Sequence, residues 1–451
     1  MTDSADAVVI GAGVAGVSAA YHLAVAQGAK RVKIVDPRPP LTLTSDKSAE
    51  CYRNWWPNSP MVELMNRSID LLEKVAAESG NVIGMNRRGY LFITADEARL
   101  HSMIEEAHHT STLGAGTVRI HPGPIPYRHS PEEGYVGAPE GADILIGADT
   151  IREHFPFITD KAVGAVHVRR AGWLSAQQLG AWMLERARQD GATFVQDEVT
   201  EIDVDGGSVT GVGLASGDRI ATKVVVNAAG PMSRSVAAMV GVALPVLAEV
   251  HIKVAYREHL GVIPRHAPMF IWSDHQTVDW TDEERAELQA QGRHDLLGQM
   301  PIFCHGRPEG GVESPYLLAL WEYHNEVRED PVWPLLDDPL YPEVVMRGLT
   351  TMVPGLAPYL DGLPHSVVDG GYYLKTRENR PLVGPAGPEG FFLMAGMSGF
   401  GVMVSMGAGD LVARHISGDE LPGYSPSFLL SRYDDPVYLE SIADAGRSGQ
   451  L

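Results

Sequence analysis

Three glycines and a carboxylate near the start of the chain have the types and spacing of a phosphate-binding turn. In "VVIGAGVAG", Gly11, Gly13 and Gly16 complete G-x-G-x-x-G. Gly11 permits a tight turn, Gly13 lets the backbone approach a pyrophosphate, and Gly16 lets a helix pack on the strand before it. Asp36 closes "RVKIVD" twenty residues past Gly16, where a carboxylate can accept hydrogen bonds from a ribose. Ala15 inside the turn, and Pro37 and Arg38 after the acid, join these as candidates for holding a dinucleotide. The turn alone does not choose between NAD and FAD.

A second glycine run, "GMSGFGVMVSMGAG", occupies residues 396–409. The strand pattern Phe391 to Ala395 runs into it, and Gly399, Phe400, Gly401, Val402 and Met403 would begin a helix that is apolar nearly all round. Free N–H groups at such a helix start make an anion site without any side chain. An isoalloxazine gains negative charge at N1–C2=O on reduction, and a helix N-terminus aimed there would stabilise the reduced ring. One turn for a pyrophosphate and one for a flavin favours FAD, because a nicotinamide dehydrogenase needs no second dipole site so far downstream.

The elements that must position these turns are legible as patterns. Ala7 to Ile10 is a short apolar run suited to a buried parallel strand. Residues 177–192 have helical periodicity, with Leu179, Trp182, Met183 and Ala187 on one side. A hairpin turning at Asp205-Gly206-Gly207 follows, and then "KVVVNAAGP", a buried strand ending in small residues at Ala229 and Gly230. Val199, at the start of the hairpin, is a further cofactor-binding candidate. Alternation predicts strands over 246–257 and 316–324.

In that order, "VVIGAGVAG", Asp36, "VVVNAAGPMS", "TRENRPLVGP" and "GMSGFGVM" resemble the D-amino-acid oxidase/sarcosine oxidase family of flavoenzymes over most of the chain. Segments "NRRGYLFIT" and "AGWLSAQQL" resemble that family too, while 113–146, rich in Gly and Pro, looks like an insertion forming a surface excursion or lid. Met232 stands where the family typically has Trp. The implied fold is α/β: a Rossmann-like FAD-binding domain (1–85, 160–245 and 365–435) interleaved with an antiparallel-sheet substrate domain (86–159 and 246–364), then a tail, 436–451.

The resemblance also implies site residues. Ser45, Lys47 and Ser48 would meet pyrophosphate, and Arg53 would reach the flavin or a substrate anion, or else lie in a solvated loop. Tyr373 falls where a family tyrosine lines the substrate face. Gly371 stands where sarcosine oxidases carry a flavin-linked cysteine, so the FAD is expected to be noncovalent. Met403 and Trp56 replace a lysine and an arginine that serve a substrate carboxylate. The aromatics Tyr52, Trp55, Trp56, Tyr373 and Phe400 suggest a bulkier or less charged amine, with core packing as the alternative. On 316–324, either Trp321 and Tyr323 or Glu322 and His324 face the pocket; Trp321 is carried as a substrate candidate and His324 as a catalytic one. Lys253 is a candidate to help O₂ accept electrons, or a solvated lysine.

Bulk composition narrows the partners. A formal charge of −21 opposes nucleic acid and anionic lipid. No run approaches the roughly 20 apolar residues of a membrane span, and the N-terminus lacks a signal-peptide pattern, so a cytoplasmic location is expected. Two cysteines, Cys51 and Cys304, fit a reducing compartment, and no metal-ligand spacing is present. Together these residues predict FAD-dependent oxidation of a C–N bond in an amine, with O₂ or another electron acceptor and possible oligomerisation. A dehydrogenase of the same fold, or a non-catalytic FAD-binding subunit, are the rivals.

Overall fold

The computed structural model describes residues 3–123, 127–323, 327–335 and 338–443. A six-stranded sheet runs in the order Thr193–Val195, Val32–Val35, Ala7–Ile10, Val225–Asn227, Phe391–Ala395, Leu382–Pro385. Its first five strands are parallel and the last is antiparallel. Ala7–Ile10 is buried at all four positions, as expected of a strand covered on both faces. Helices Val14–Tyr21, Ser59–Glu78, Ala176–Gln189 and Gly401–Ser417 share the apolar core on one side.

Small residues let these helices close on one another. A Cβ on Gly407 would lie 2.9 Å from the Leu64 carbonyl oxygen, and one on Gly409 2.3 Å from Ser18 Oγ. Two hydroxyls stitch the contact: Ser18 Oγ donates to the Ser405 carbonyl at 2.8 Å, and Ser68 Oγ donates to the Met403 carbonyl at 2.5 Å. The glycine run at 396–409 therefore serves packing along its length as well as the turn at its start.

The second sheet is larger and mixed. Its longest strand, Val246–Arg257, pairs antiparallel with Ser366–Thr376 from Val246↔Thr376 to Tyr256↔Ser366. Val246, Ala248, Val250, Val254 and Tyr256 are buried in the core. By the two-residue period of a strand, Glu249, His251 and Lys253 lie on the opposite face. Strands Gly164–Val168 and Ser366–Thr376, within ranges expected to belong to the cofactor domain, pair in this larger sheet.

The 113–146 segment is more than a surface excursion. Val118–His121 and Ala142–Ile146 pair in parallel and extend the large sheet. Asp143 anchors them: its buried carboxylate accepts from Arg119 Nε (2.6 Å), Arg169 (2.6 Å) and His121 Nε2 (2.9 Å). No helix among the described residues is long and apolar enough to cross a membrane.

Burial by itself would raise the Asp143 carboxyl, but the bond from Arg119 and the charge of Arg169 outweigh it and hold the group at about 2, against 3.8 ordinarily. A depressed carboxyl stabilises the fold above its unfolded value and loses that contribution as pH falls through the folded one. Asp143→Asn is thus expected to cost about 3 kcal/mol at neutral pH, read as a lowered Tm. The gap from wild type should be flat above pH 5 and close as pH falls from about 4 towards 2.

Candidate active site

The first turn is built as the spacing predicts. Gly11 has φ +104°, and a Cβ there would lie 2.4 Å from the Ala228 carbonyl oxygen. One on Gly16 would lie 1.9 Å from the Gly11 carbonyl oxygen. Asp36 fastens the turn, accepting from the Ala12 N–H at Oδ2 and from the Arg38 N–H at Oδ1, both at 2.9 Å. A carboxylate offers about four lone-pair sites, so two remain for a ribose. Ser45 Oγ accepts from the Val14 N–H at 2.9 Å, which leaves its own proton to donate.

Both glycine turns line one cleft of about 860 Å³. Of the expected residues, Gly11, Gly13, Ala15, Asp36, Ser45, Ser48, Ala229, Gly230, Tyr373, Gly399, Gly401 and Val402 border it. Thr42, Thr44, Pro231, Tyr372 and Met394 to Ser398 do as well; their signal, adjacency to a turn or a strand end, is too weak to single them out in sequence. The cradle is bare where Gly13 stands, an anion-favouring helix start meets it from each side, and a ribose acceptor sits at its edge. These features fit FAD.

Other expected residues lie elsewhere. Gly16 packs beneath the turn, and Arg38 contributes its backbone N–H. Pro37 is outside the cleft lining. Lys47 pairs with Asp46 at 2.7 Å and Asp369 at 3.1 Å. Val199 pairs with Leu214 in the four-stranded sheet and is buried in its core. Met403 is buried among the helices. Phe400 is buried too, its ring edge-on to Trp56 at 5.0 Å.

Trp55, Trp56 and Arg53 line a second cleft, of about 990 Å³, with Phe92, Met103, Phe303, Glu378 and Asn379. The Trp56–Phe400 pair stands between it and the turn at Gly399 and Gly401. Arg53 is not in a solvated loop: it is buried, its guanidinium lies 4.5 Å from the Trp56 ring centroid, and its Nε donates to the Trp55 carbonyl at 3.1 Å. Burial lowers its pKa. Tyr52 leaves the aromatic set, since its hydroxyl donates to the Asn86 carbonyl at 2.6 Å in the core.

The strand Tyr316–Leu320 decides its open face. Trp321, expected at the substrate, is buried in the core with its indole N–H donating to the Pro301 carbonyl at 2.9 Å. The pleat sends the next residue the other way, and Glu322 Oε1 comes to 3.1 Å from His251 Nδ1. His324 lies outside the described residues. Around Tyr373 a buried polar group assembles, of which sequence reading missed Glu249 and His251. The His251 ring stacks on Tyr373 at 3.9 Å between centroids, Glu249 lies 3.7 Å from His251, and Lys375 Nζ is 2.8 Å from Glu249. The signal was present in "EVHIK", a polar residue at every second position of an otherwise apolar strand. Lys253 Nζ donates to the Ser48 carbonyl at 2.8 Å, and burial lowers its pKa.

Comparison with known proteins identifies the family. The sequence profile DAO, described as FAD dependent oxidoreductase, matches residues 6–415. Human mitochondrial dimethylglycine dehydrogenase is 26% identical over 252 residues, 55% of this chain and 26% of that protein; the chain thus spans about a quarter of that relative's length. L-Proline dehydrogenase from P. horikoshii superposes with a TM-score of 0.72 at 18% identity, over 99% of this chain and 100% of that one. Glycine oxidase from Geobacillus kaustophilus gives 0.72 at 18%, over 96% and 99%. The chain belongs to the DAO family of FAD dependent oxidoreductases.

Gly13 offers a test of the cleft that spares the fold, because a Cβ there meets only Ser45 Oγ, at 3.1 Å. Gly13→Ala should leave the circular dichroism unchanged and weaken FAD by about tenfold, or about 1.4 kcal/mol, as measured by titrating the apoprotein with FAD.

Proposed function

We propose that this chain oxidises a C–N bond in a secondary or tertiary amine or an amino-acid-like substrate, the resulting imine being hydrolysed afterwards. The observation that carries the reading is the convergence of both glycine turns and Tyr373 on one cleft, with Lys253 bonded to the carbonyl of Ser48 in its wall. Bound FAD would supply the hydride acceptor. The residues at 11–15, 36, 45, 48 and 229–230 would hold its phosphates and ribose, and 396–402 its ring.

The chain's own groups do the rest. A protonated amine has no lone pair to expel hydride, so the site must receive the nitrogen neutral or deprotonate it; desolvation lowers an amine's pKa. Arg53, beside Trp55 and Trp56 in the second cleft, would orient an anionic or aromatic part of the substrate, and the Tyr373 ring would face the reacting carbon. Fixed orientation of this kind is the protein's main contribution in cofactor enzymes.

FAD is held noncovalently in this reading. Gly371 offers no thiol, and its missing Cβ would look towards Thr44 and Lys47 at 3.5 Å. Denaturing the yellow protein should therefore release all the flavin into the supernatant; a yellow pellet would contradict this. Anaerobic titration with a panel of secondary and tertiary amines should bleach the flavin, and a protein that no amine bleaches is not an amine oxidoreductase. Admitting air then separates the acceptors: rapid recolouring means an oxidase, slow recolouring a dehydrogenase with another acceptor. If O₂ is the acceptor, Lys253→Met should slow recolouring by about tenfold or more and leave bleaching nearly unchanged.

A further inference from the structure

The second cleft carries more polar chemistry than an apolar gap between packed elements needs. Its walls come from separate parts of the chain: residues 53–58, Tyr90–Thr94, Glu97–Thr110, Phe303, and the turn after Ser366–Thr376. Phe92, Met103 and Phe303 give it apolar sides, and Phe92 meets Phe303 edge-on at 6.4 Å. Its volume of about 990 Å³ lies at the upper end of the range for small-molecule sites.

Two carboxylates in the lining are met by cations of the protein. Arg432 lies 2.7 Å from Glu378, and Arg99 lies 2.7 Å from Glu106. Arg53 brings a guanidinium, 5% exposed and set over the Trp56 ring. Burial disfavours its charge, and a carboxylate beside it would offset that cost. Asn379 is 7% exposed, and its Oδ1 is buried with no hydrogen-bond partner among the described residues. A buried amide that bonds to no protein group calls for a partner from outside the protein, and the cleft is the space that Asn379 borders.

Phe303 adds an independent sign. Its φ is +70°, in the left-handed region that a bulky side chain rarely adopts. Bonds on both sides impose this: its N–H donates to the Trp272 carbonyl at 2.8 Å, and its own carbonyl lies 2.7 Å from His305 Nδ1. Strain of this kind persists where the surroundings over-determine it, and it clusters at ligand sites. Here it belongs to one of the rings that wall the cleft.

We propose that the second cleft is a binding site for an aromatic carboxylate, its ring held among Trp55, Phe92 and Phe303 and its carboxylate by the Arg53 guanidinium and the Asn379 amide. Guanidinium–carboxylate hydrogen bonds are short, strong and geometrically specific, and a side-chain amide adds two N–H donors. The occupant is either the far end of the amine substrate, which extends the orienting role given to Arg53 above, or a separate molecule. Trp56 lies 5.0 Å from Phe400, whose neighbours Gly399 and Gly401 line the first cleft, so either occupant sits one ring pair away from that cleft. The site itself rests on the geometry of the second cleft and not on the amine reading.

Calorimetric titration of the FAD-loaded protein with 3-phenylpropionate, 3-phenylpropionamide and propionate tests the site. 3-Phenylpropionate should bind, and the other two should bind at least about tenfold more weakly, having lost the charge-assisted bonds or the ring. Asn379→Gly keeps the left-handed backbone, φ +57°, and removes the amide. It should weaken 3-phenylpropionate about fivefold. Phe303→Ala should weaken it about tenfold, and both variants should keep their FAD. Phe303→Leu replaces Phe303→Ala if the latter fails to fold. Competition then names the source. If 3-phenylpropionate raises the amine concentration needed for anaerobic bleaching, and does so less in Asn379→Gly, the occupant is part of the substrate. Bleaching unaffected by saturating 3-phenylpropionate means a separate molecule. No binding, equal binding of the three probes, or binding unchanged in both variants overturns the proposal and leaves the amine reading standing. A protein that no amine bleaches overturns the amine reading and leaves the binding result standing.

Discussion

Strands Ala7–Ile10, Val225–Asn227 and Phe391–Ala395 lie side by side in parallel, and this arrangement governs the site. Parallel pairing puts all three carboxyl ends at one sheet edge, where ligands of open α/β sheets bind. Each end turns sharply: Gly11 with φ +104°, Gly230 with φ +56° and Gly396 with φ +64°. Side chains at the tightest of these turns would collide with neighbouring backbone, as the 2.4 Å from a Cβ on Gly11 to the Ala228 carbonyl shows. Glycine there is a steric requirement of bringing three chain reversals together, and the cleft is the space left between them.

The helices behind those turns obey the same constraint. Gly401–Ser417 aims its start at the cleft only because Gly407 and Gly409 let it close on Ser59–Glu78 and Val14–Tyr21. Ser18 and Ser68 then bond to carbonyls of that helix, which fixes its rotation and its slide along the axis. The position of the late turn is thus set by contacts several residues away from it.

On the other side the cleft meets a sheet face of unusual composition. Glu249, His251 and Lys253 alternate with residues that bury the core. Their charges are balanced by groups from two other segments, with Lys375 on Glu249 and Glu322 on His251. Inside a protein such networks are strong when complete and costly when broken. They hold Tyr373 and its neighbours in one arrangement, as a site for oriented chemistry requires. The second cleft, walled by Trp55, Trp56, Phe92 and Phe303, extends the same face with apolar surface.

What the sequence by itself determined is local: the two glycine turns, the acid at 36, the strand 246–257 with its ends, and the late helix. Each is written in a short window, because turn sterics and side-chain periodicity act between residues a few positions apart. Tertiary structure alone decided the rest. It turned Trp321 into the core and Glu322 towards His251, took Arg53 out of a loop and set it over Trp56, and made 118–121 and 142–146 a sheet edge held by Asp143. Those outcomes depend on which strand lies next to which and on which face of a pleat meets the core. Residues 71, 122 and 126 positions apart cannot announce such a pairing in their own windows, as His251 with Glu322, His251 with Tyr373, and Glu249 with Lys375 illustrate.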